Sequence, residues 1–137
     1  MSIFKIFDTA GSGLSAQALR LNLVASNMAN VDAVSSSLEQ TYKSRQPVFR
    51  AMMDQFNPNE PATGVKMVAV VESKAPPQME YNPAHPMANQ DGYVFRPNIN
   101  IVEEMANMIS ASRAYQSNVE VVSAAKQLAS ATLRMGE

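Results

Sequence analysis

The chain has 137 residues, a formal net charge of −1, 46% hydrophobic residues and no cysteine. Its eleven basic residues are scattered from Lys5 to Arg134 rather than gathered in a stripe, which argues against nucleic acid as a partner. The missing cysteines exclude disulfides, thiolate nucleophiles and cysteine-based zinc sites, and no run approaches the roughly 20 apolar residues of a membrane span, so no membrane insertion is expected.

The opening stretch, MSIFKIFDTAGSG, has one lysine and a few apolar residues, but Asp8 interrupts them before an apolar core forms. No cleavable signal peptide is expected, so a chain leaving the cytoplasm would use another export route. Residues 1–32 form the first segment, predicted helical to about Val31. Leu14, Ala18, Leu21, Ala25 and Met28 are spaced 4, 3, 4, 3, the repeat of a coiled-coil seam alternating large and small residues. Gly11 and Gly13 weaken the helix just before it, so a bend or a late start is expected there. A second row, Ala16, Arg20, Leu23, Asn27 and Asn30, repeats the spacing on the opposite face.

Residues 33–98 differ. All eight prolines lie between Pro47 and Pro97. GVKMVAVVES is valine-rich and short enough for a strand; QPVFRAMM and DGYVF are weaker strand candidates, with Asp91-Gly92 as a turn signal. APPQMEYNPAHP reads as extended chain or loop, because each proline restricts itself and its predecessor. Ser35, Ser36 and Ser37 read as a linker, and FNPNEPATG as a variable loop. The expectation is one small, proline-braced β-rich unit.

The last segment, residues 99–137, opens with NINIVEEM. Asn100 can cap a helix there and Glu103 can reach back to it. Glu103 and Glu104 suit the positive end of the helix dipole, and Lys126 and Arg134 the negative end. Ile101, Met105, Met108, Ser112, Tyr115, Val119 and Val122 again step by 4 and 3. The fold class expected is therefore mainly α with a small β-rich insert, its terminal helices paired as a coiled coil through these two seams.

Both helices are short of charge. Arg20 is the one charged residue among the 23 from Thr9 to Val31, and Arg113 the one among the 15 from Met105 to Val119. At an average of about 25% charged residues, those 38 positions should hold roughly nine or ten charges. Helices with one side in water would need them. A chain this short cannot cover both faces of both helices itself, so burial against other copies or other subunits is expected.

The same residues carry a family resemblance. SGLSAQALRLNLVASNMANVD resembles the N-terminal signature of the flagellar rod, hook and hook-associated axial proteins, which ends on NxAN. EMANMISASRAYQSNVEVVSAAKQL is similar to their C-terminal signature, centred on RAYQ-x-N. The run VKMVAVVESKAPPQMEYNPAHPMANQDGYVFRPNINIVEEM narrows the resemblance to the family's proximal rod subunits. The chain departs from the pattern in its serine-rich VDAVSSSLEQ and in the FNPNEPATG loop.

The resemblance implies a structural subunit with no catalysis and no cofactor, exported unfolded by the flagellar type III apparatus. Its terminal helices would stack into a hollow, torque-transmitting rod in the periplasm. Partners would be further copies, other proximal rod proteins, the distal rod and the adaptor that joins the rod to the membrane ring. Subunit-packing residues expected on the first helix are Leu14, Arg20, Leu21, Leu23, Asn27, Met28 and Asn30. Those on the second are Met105, Ile109, Arg113, Tyr115, Gln116 and Asn118, with the outer, asparagine-bearing face of the first helix turned to neighbouring subunits.

Other readings fare less well. His85 is the only histidine, and neither Glu80 nor Asp91 stands at ligand spacing from it, so a hydrolase or metal site lacks its partners. Met105 and Met108 read as adaptable packing groups. Arg113, alone in its stretch, is expected to bond carbonyls or an acid on another helix. The rival from another class is a coiled-coil export chaperone or adaptor of a type III apparatus, which would be a stable soluble oligomer. The proline-rich middle argues against it.

Overall fold

The computed structural model describes residues 3–53 and 64–136, so the FNPNEPATG loop lies outside the described residues up to Gly64. Two long helices, α1 (Ile3–Ala29) and α2 (Ile101–Met135), enclose four strands: β1 (Arg45–Met52), β2 (Gly64–Glu72), β3 (Gln78–Tyr81) and β4 (Tyr93–Arg96). None of the described helices is long and apolar enough to cross a membrane.

α1 runs unbroken through Gly11 and Gly13, so the expected bend is not there. A helical glycine costs about 1 kcal/mol against alanine. Tertiary packing explains Gly13, because a Cβ at that position would stand 2.9 Å from Asn118 Nδ2 of α2. α2 starts at an asparagine cap: the Asn100 side chain accepts from the Val102 and Glu103 N–H groups at 3.0 and 3.4 Å. Glu103 and Glu104 follow in the first turn and Arg134 stands in the last, as the dipole favours.

The helices pack antiparallel. Gly13 lies beneath Asn118, Arg20 bonds Asn107, and Asn27 bonds Glu104. Extending that register sets Ile3 near Leu128, so the last turns of α2 run roughly 10 Å past the start of α1, at about 1.5 Å per residue. Alanine dominates the buried apolar positions of the pair: Ala10, Ala16, Ala111 and Ala125, with Val24. Small side chains let the two backbones approach closely.

The expected single β-rich unit is two separate antiparallel pairs, β1–β2 and β3–β4. β1–β2 rides along α1. Val48 pairs Ala69 and Phe49 pairs Met67, which leaves Val68 unpaired as a bulge. Asn27 holds the Arg45 end of the hairpin, and the Val65 N–H donates to Ser12 Oγ at 3.0 Å near the other end. From residue 12 to 27 the helix spans about 22 Å, and from 45 to 52 a strand spans about 23 Å, so the two match in length.

β3 falls within the APPQMEYNPAHP stretch expected as extended chain or loop. Its four residues are all exposed, and although QMEY alternates polar with apolar, Pro76, Pro77 and Pro83 around it favour the loop reading. β4 supplies the buried Val94 and Phe95 of this second unit. On its other edge Ser35 and Phe95 exchange backbone hydrogen bonds of 2.9 and 3.0 Å. Ser35 is therefore a buried structural residue rather than plain linker, its hydroxyl 2.6 Å from that of Thr41. Arg96 ties the unit together through Glu80 at 3.1 Å. Gly92, at φ +80, makes the turn into β4 that the Asp-Gly pair predicts.

Candidate assembly surface

Heptad spacing is the same for every row on a helix, and the structure assigns the rows differently from expectation. The row expected to face outward on α1 faces inward. Ala16 and Asn27 are buried, Leu23 and Asn30 half-buried, and Arg20 Nη2 donates to Asn107 Oδ1 of α2 at 3.1 Å. The Asn30 amide donates to the Ser26 carbonyl one turn back, at 2.8 Å. On α2, Asn118 covers Gly13 of the same chain. The side chains of Arg20, Asn27 and Asn118, expected against neighbouring subunits, are thus engaged within this one.

Asn27 is the centre of that inner face. Its Oδ1 accepts from the Arg45 N–H and from the Tyr42 hydroxyl, both at 2.9 Å. Its Nδ2 donates to the Arg45 carbonyl at 3.0 Å and to Glu104 Oε2 at 3.3 Å. The amide thus pairs with the backbone of residue 45 as a neighbouring strand would, and reaches α2 as well. Gln46 Nε2 donates to the other Glu104 oxygen at 3.3 Å. A fully bonded buried amide carries little desolvation penalty, and a network of this kind selects one arrangement of the elements around it. Nothing in the sequence signalled that Tyr42, Gln46 and Glu104 meet here. A glutamate in a first helical turn reads as a dipole partner and no more.

The rows expected to pair within the chain are the ones left open. On α2 the buried positions step through Glu104, Ala111 and Ala125, one register away from the expected seam. Ile101, Met105, Tyr115 and Val119 of that seam are exposed, Met105 at 49%, and Ile109 beside them at 56%. Met108 and Ser112 are half-buried, while Arg113 and Gln116 are exposed. On α1, Leu14, Leu21 and Met28 are half-buried and Ala25 is exposed. At about 100° per residue on antiparallel helices, both rows flank the same side of the helix pair, away from the β1–β2 hairpin. One long apolar face results, with Arg113 as the one charge along its α2 side between Met105 and Val119. A contiguous exposed apolar face of this extent marks an interaction surface.

No comparable chemistry gathers elsewhere. Among the described residues no group of three or more His, Asp or Glu could hold a metal ion. His85 Nδ1 accepts from the Met87 N–H at 3.1 Å, closing a turn in the β3–β4 loop. The loop is also closed by the Asn82 N–H to the Gly92 carbonyl and the Asn89 N–H to the Tyr93 carbonyl, both at 2.9 Å. His85→Ala should therefore cost only the net worth of one exposed hydrogen bond, about 1 kcal/mol or less, and leave motility unchanged. Swimming assays check this; stoichiometric metal in the purified chain, lost on the substitution, would contradict it.

Comparison with known proteins points one way. Residues 7–35 match the family described as flagella basal body rod protein, and residues 90–135 match flagellar basal body rod FlgEFG protein C-terminal. Over its whole length the chain is 44% identical to the flagellar basal-body rod protein FlgC of Salmonella typhimurium, also covered completely. The same figures hold for FlgC of Escherichia coli O157:H7. FlgC of Borreliella burgdorferi is 34% identical over 93% of each chain.

Proposed function

The chain belongs to the FlgC family of flagellar basal-body rod proteins and is a structural rod subunit, and we propose that it builds the proximal rod by burying its open two-helix face against neighbouring subunits. The observation that carries this reading is the uncovered row of Ile101, Met105, Tyr115 and Val119 beside Leu14, Leu21 and Met28. Seam spacing of this kind suits coiled-coil-like packing between subunits, and close-packed helices give a stiff shaft able to carry torque around a central channel. The neighbours on this reading are further copies, other proximal rod proteins, the distal rod and the adaptor to the membrane ring. The rod lies in the periplasm, and the chain reaches it unfolded through the flagellar type III export apparatus.

Folding is coupled to assembly in this scheme. Isolated helices are marginal in water, and most helix stability comes from tertiary packing. Ordering about 60 terminal residues costs on the order of 1–2 kcal/mol of backbone entropy each. The alanine-lined α1–α2 contact recovers part of that, and neighbours supply the rest. Hydrogen exchange on dilute, verified monomer should show fast exchange at both ends, with protection of Leu14–Met28 and Met105–Leu128 appearing only on assembly. Strong protection of both helices in the monomer would instead favour a soluble coiled-coil export chaperone or adaptor.

A further inference from the structure

Arg113 is the one charge of α2 between Met105 and Val119, and Asp8 is the one acid of α1. Both are exposed, and neither is hydrogen-bonded or ion-paired among the described residues. Gly11 is equally unaccounted for. Glycine is a poor helix former, and Gly13 has its reason in Asn118, which a Cβ there would meet. A Cβ on Gly11 would meet nothing within 4 Å, so nothing inside the subunit asks for its absence. At about 100° per residue, Gly11 and Ser15 point away from α2, with Asp8 one step to the side. Ile109 and Arg113 point away from α1, with Ala106 beside them. These are the two opposite outer edges of the helix pair.

We propose that the α2 edge of one copy docks on the α1 edge of the next, with Ile109 over Gly11 and Arg113 against Asp8. The proposal rests on the rod reading and names what covers the Ile109 margin of the open face. Charge complementarity selects a second copy, since the lone cation of one edge meets the lone acid of the other. Direction follows from the fold. The two helices are antiparallel within a subunit, so copies pointing the same way bring α2 of one antiparallel to α1 of the next. The register that sets Arg113 level with Asp8 also sets Ala106 level with Ser15 and Ile109 within one residue of Gly11. Within the subunit the Gly13–Asn118 register sets Arg113 level with Ala18 instead. Each copy therefore stands roughly 15 Å further along the helix axis than the last, at about 1.5 Å per residue. A contact between two unlike faces does not close on itself, which is the geometry of an open polymer.

The chain has no cysteine, so introduced ones report cleanly. Ser15→Cys and Ala106→Cys in the same chain lie on opposite edges of the helix pair, out of reach of each other within one subunit. A short bismaleimide added to isolated basal bodies should give a ladder of linked copies, absent from either single variant. Dimers of a single variant, links to a different rod protein, or no links in basal bodies that contain the double variant overturn the pairing and leave the rod reading standing. If the double variant does not enter rods, charge and size decide. Arg113→Asp or Asp8→Arg alone should lower the amount of chain in basal bodies, and the two together should restore it. Gly11→Leu should be lost from basal bodies, although the subunit itself has room for the side chain. Wild-type amounts of Gly11→Leu, or no recovery in the charge swap, also overturn the pairing. Absence of the unmodified chain from basal bodies sinks the rod reading and this contact with it.

Discussion

Replacing Asn27 by Asp should abolish incorporation into the rod, although the two side chains are nearly the same shape. Asparagine uses both halves of its amide here: two acceptor bonds to Arg45 N–H and Tyr42, two donor bonds to the Arg45 carbonyl and Glu104. A carboxylate keeps the first two and loses the others. It also stands 3.3 Å from the buried Glu104 carboxylate, whose hydrogen-bond partners are the neutral amides of Asn27 and Gln46. An uncompensated buried charge costs about 3–5 kcal/mol. That is a large share of the roughly 5–15 kcal/mol that stabilises a typical folded domain.

Asn27→Ala should cost less, about 1–3 kcal/mol, because it leaves groups unbonded without adding repulsion. Glu104→Gln combined with Asn27→Asp removes one of the two carboxylates and should restore part of the incorporation. The measurement is the amount of each variant in isolated basal bodies. Wild-type levels of the Asn27→Asp chain, or no recovery on adding Glu104→Gln, would show that this junction does not hold the hairpin to the helices.

Ile109→Glu should also abolish motility, for a different reason. Ile109 is 56% exposed in the single chain, so a glutamate there faces water and leaves the subunit fold as it was. In the assembly proposed above, that position is covered by a neighbouring subunit. Loss of the isoleucine contact alone removes about 1.5–3 kcal/mol per subunit, which Ile109→Ala would report. Burying an unpaired carboxylate adds several kcal/mol more, and the penalty recurs at each contact. Ser110→Glu, exposed on the adjacent position but off the row, should be nearly neutral. Motile cells with normal rods carrying Ile109→Glu would remove the open face from the assembly surface.

The two substitutions separate what sequence alone established from what required the fold. Helices at both ends, the asparagine cap at Asn100, the valine-rich strand β2 and the turn at Gly92 were all legible, because each depends on neighbours within a few residues. The shortage of charge is equally plain, and it is what raises the expectation of burial against other subunits. Which side met what was not legible. Every row at 4, 3 spacing on α1 and α2 has the same period, and periodicity says nothing of where the partner stands.

Hydrophobicity by itself assigns the row with larger apolar side chains to the interior. Tertiary structure chose the row of alanine, glycine and asparagine instead. Those small residues bring α1 and α2 close, and the β1–β2 hairpin supplies the hydrogen-bond partners that make a buried Asn27 tolerable. Such partners lie 15 to 77 residues away along the chain, at Tyr42, Arg45 and Glu104, where local pattern has no reach. Once that face is used inside the subunit, the bulkier rows are left exposed or half-buried.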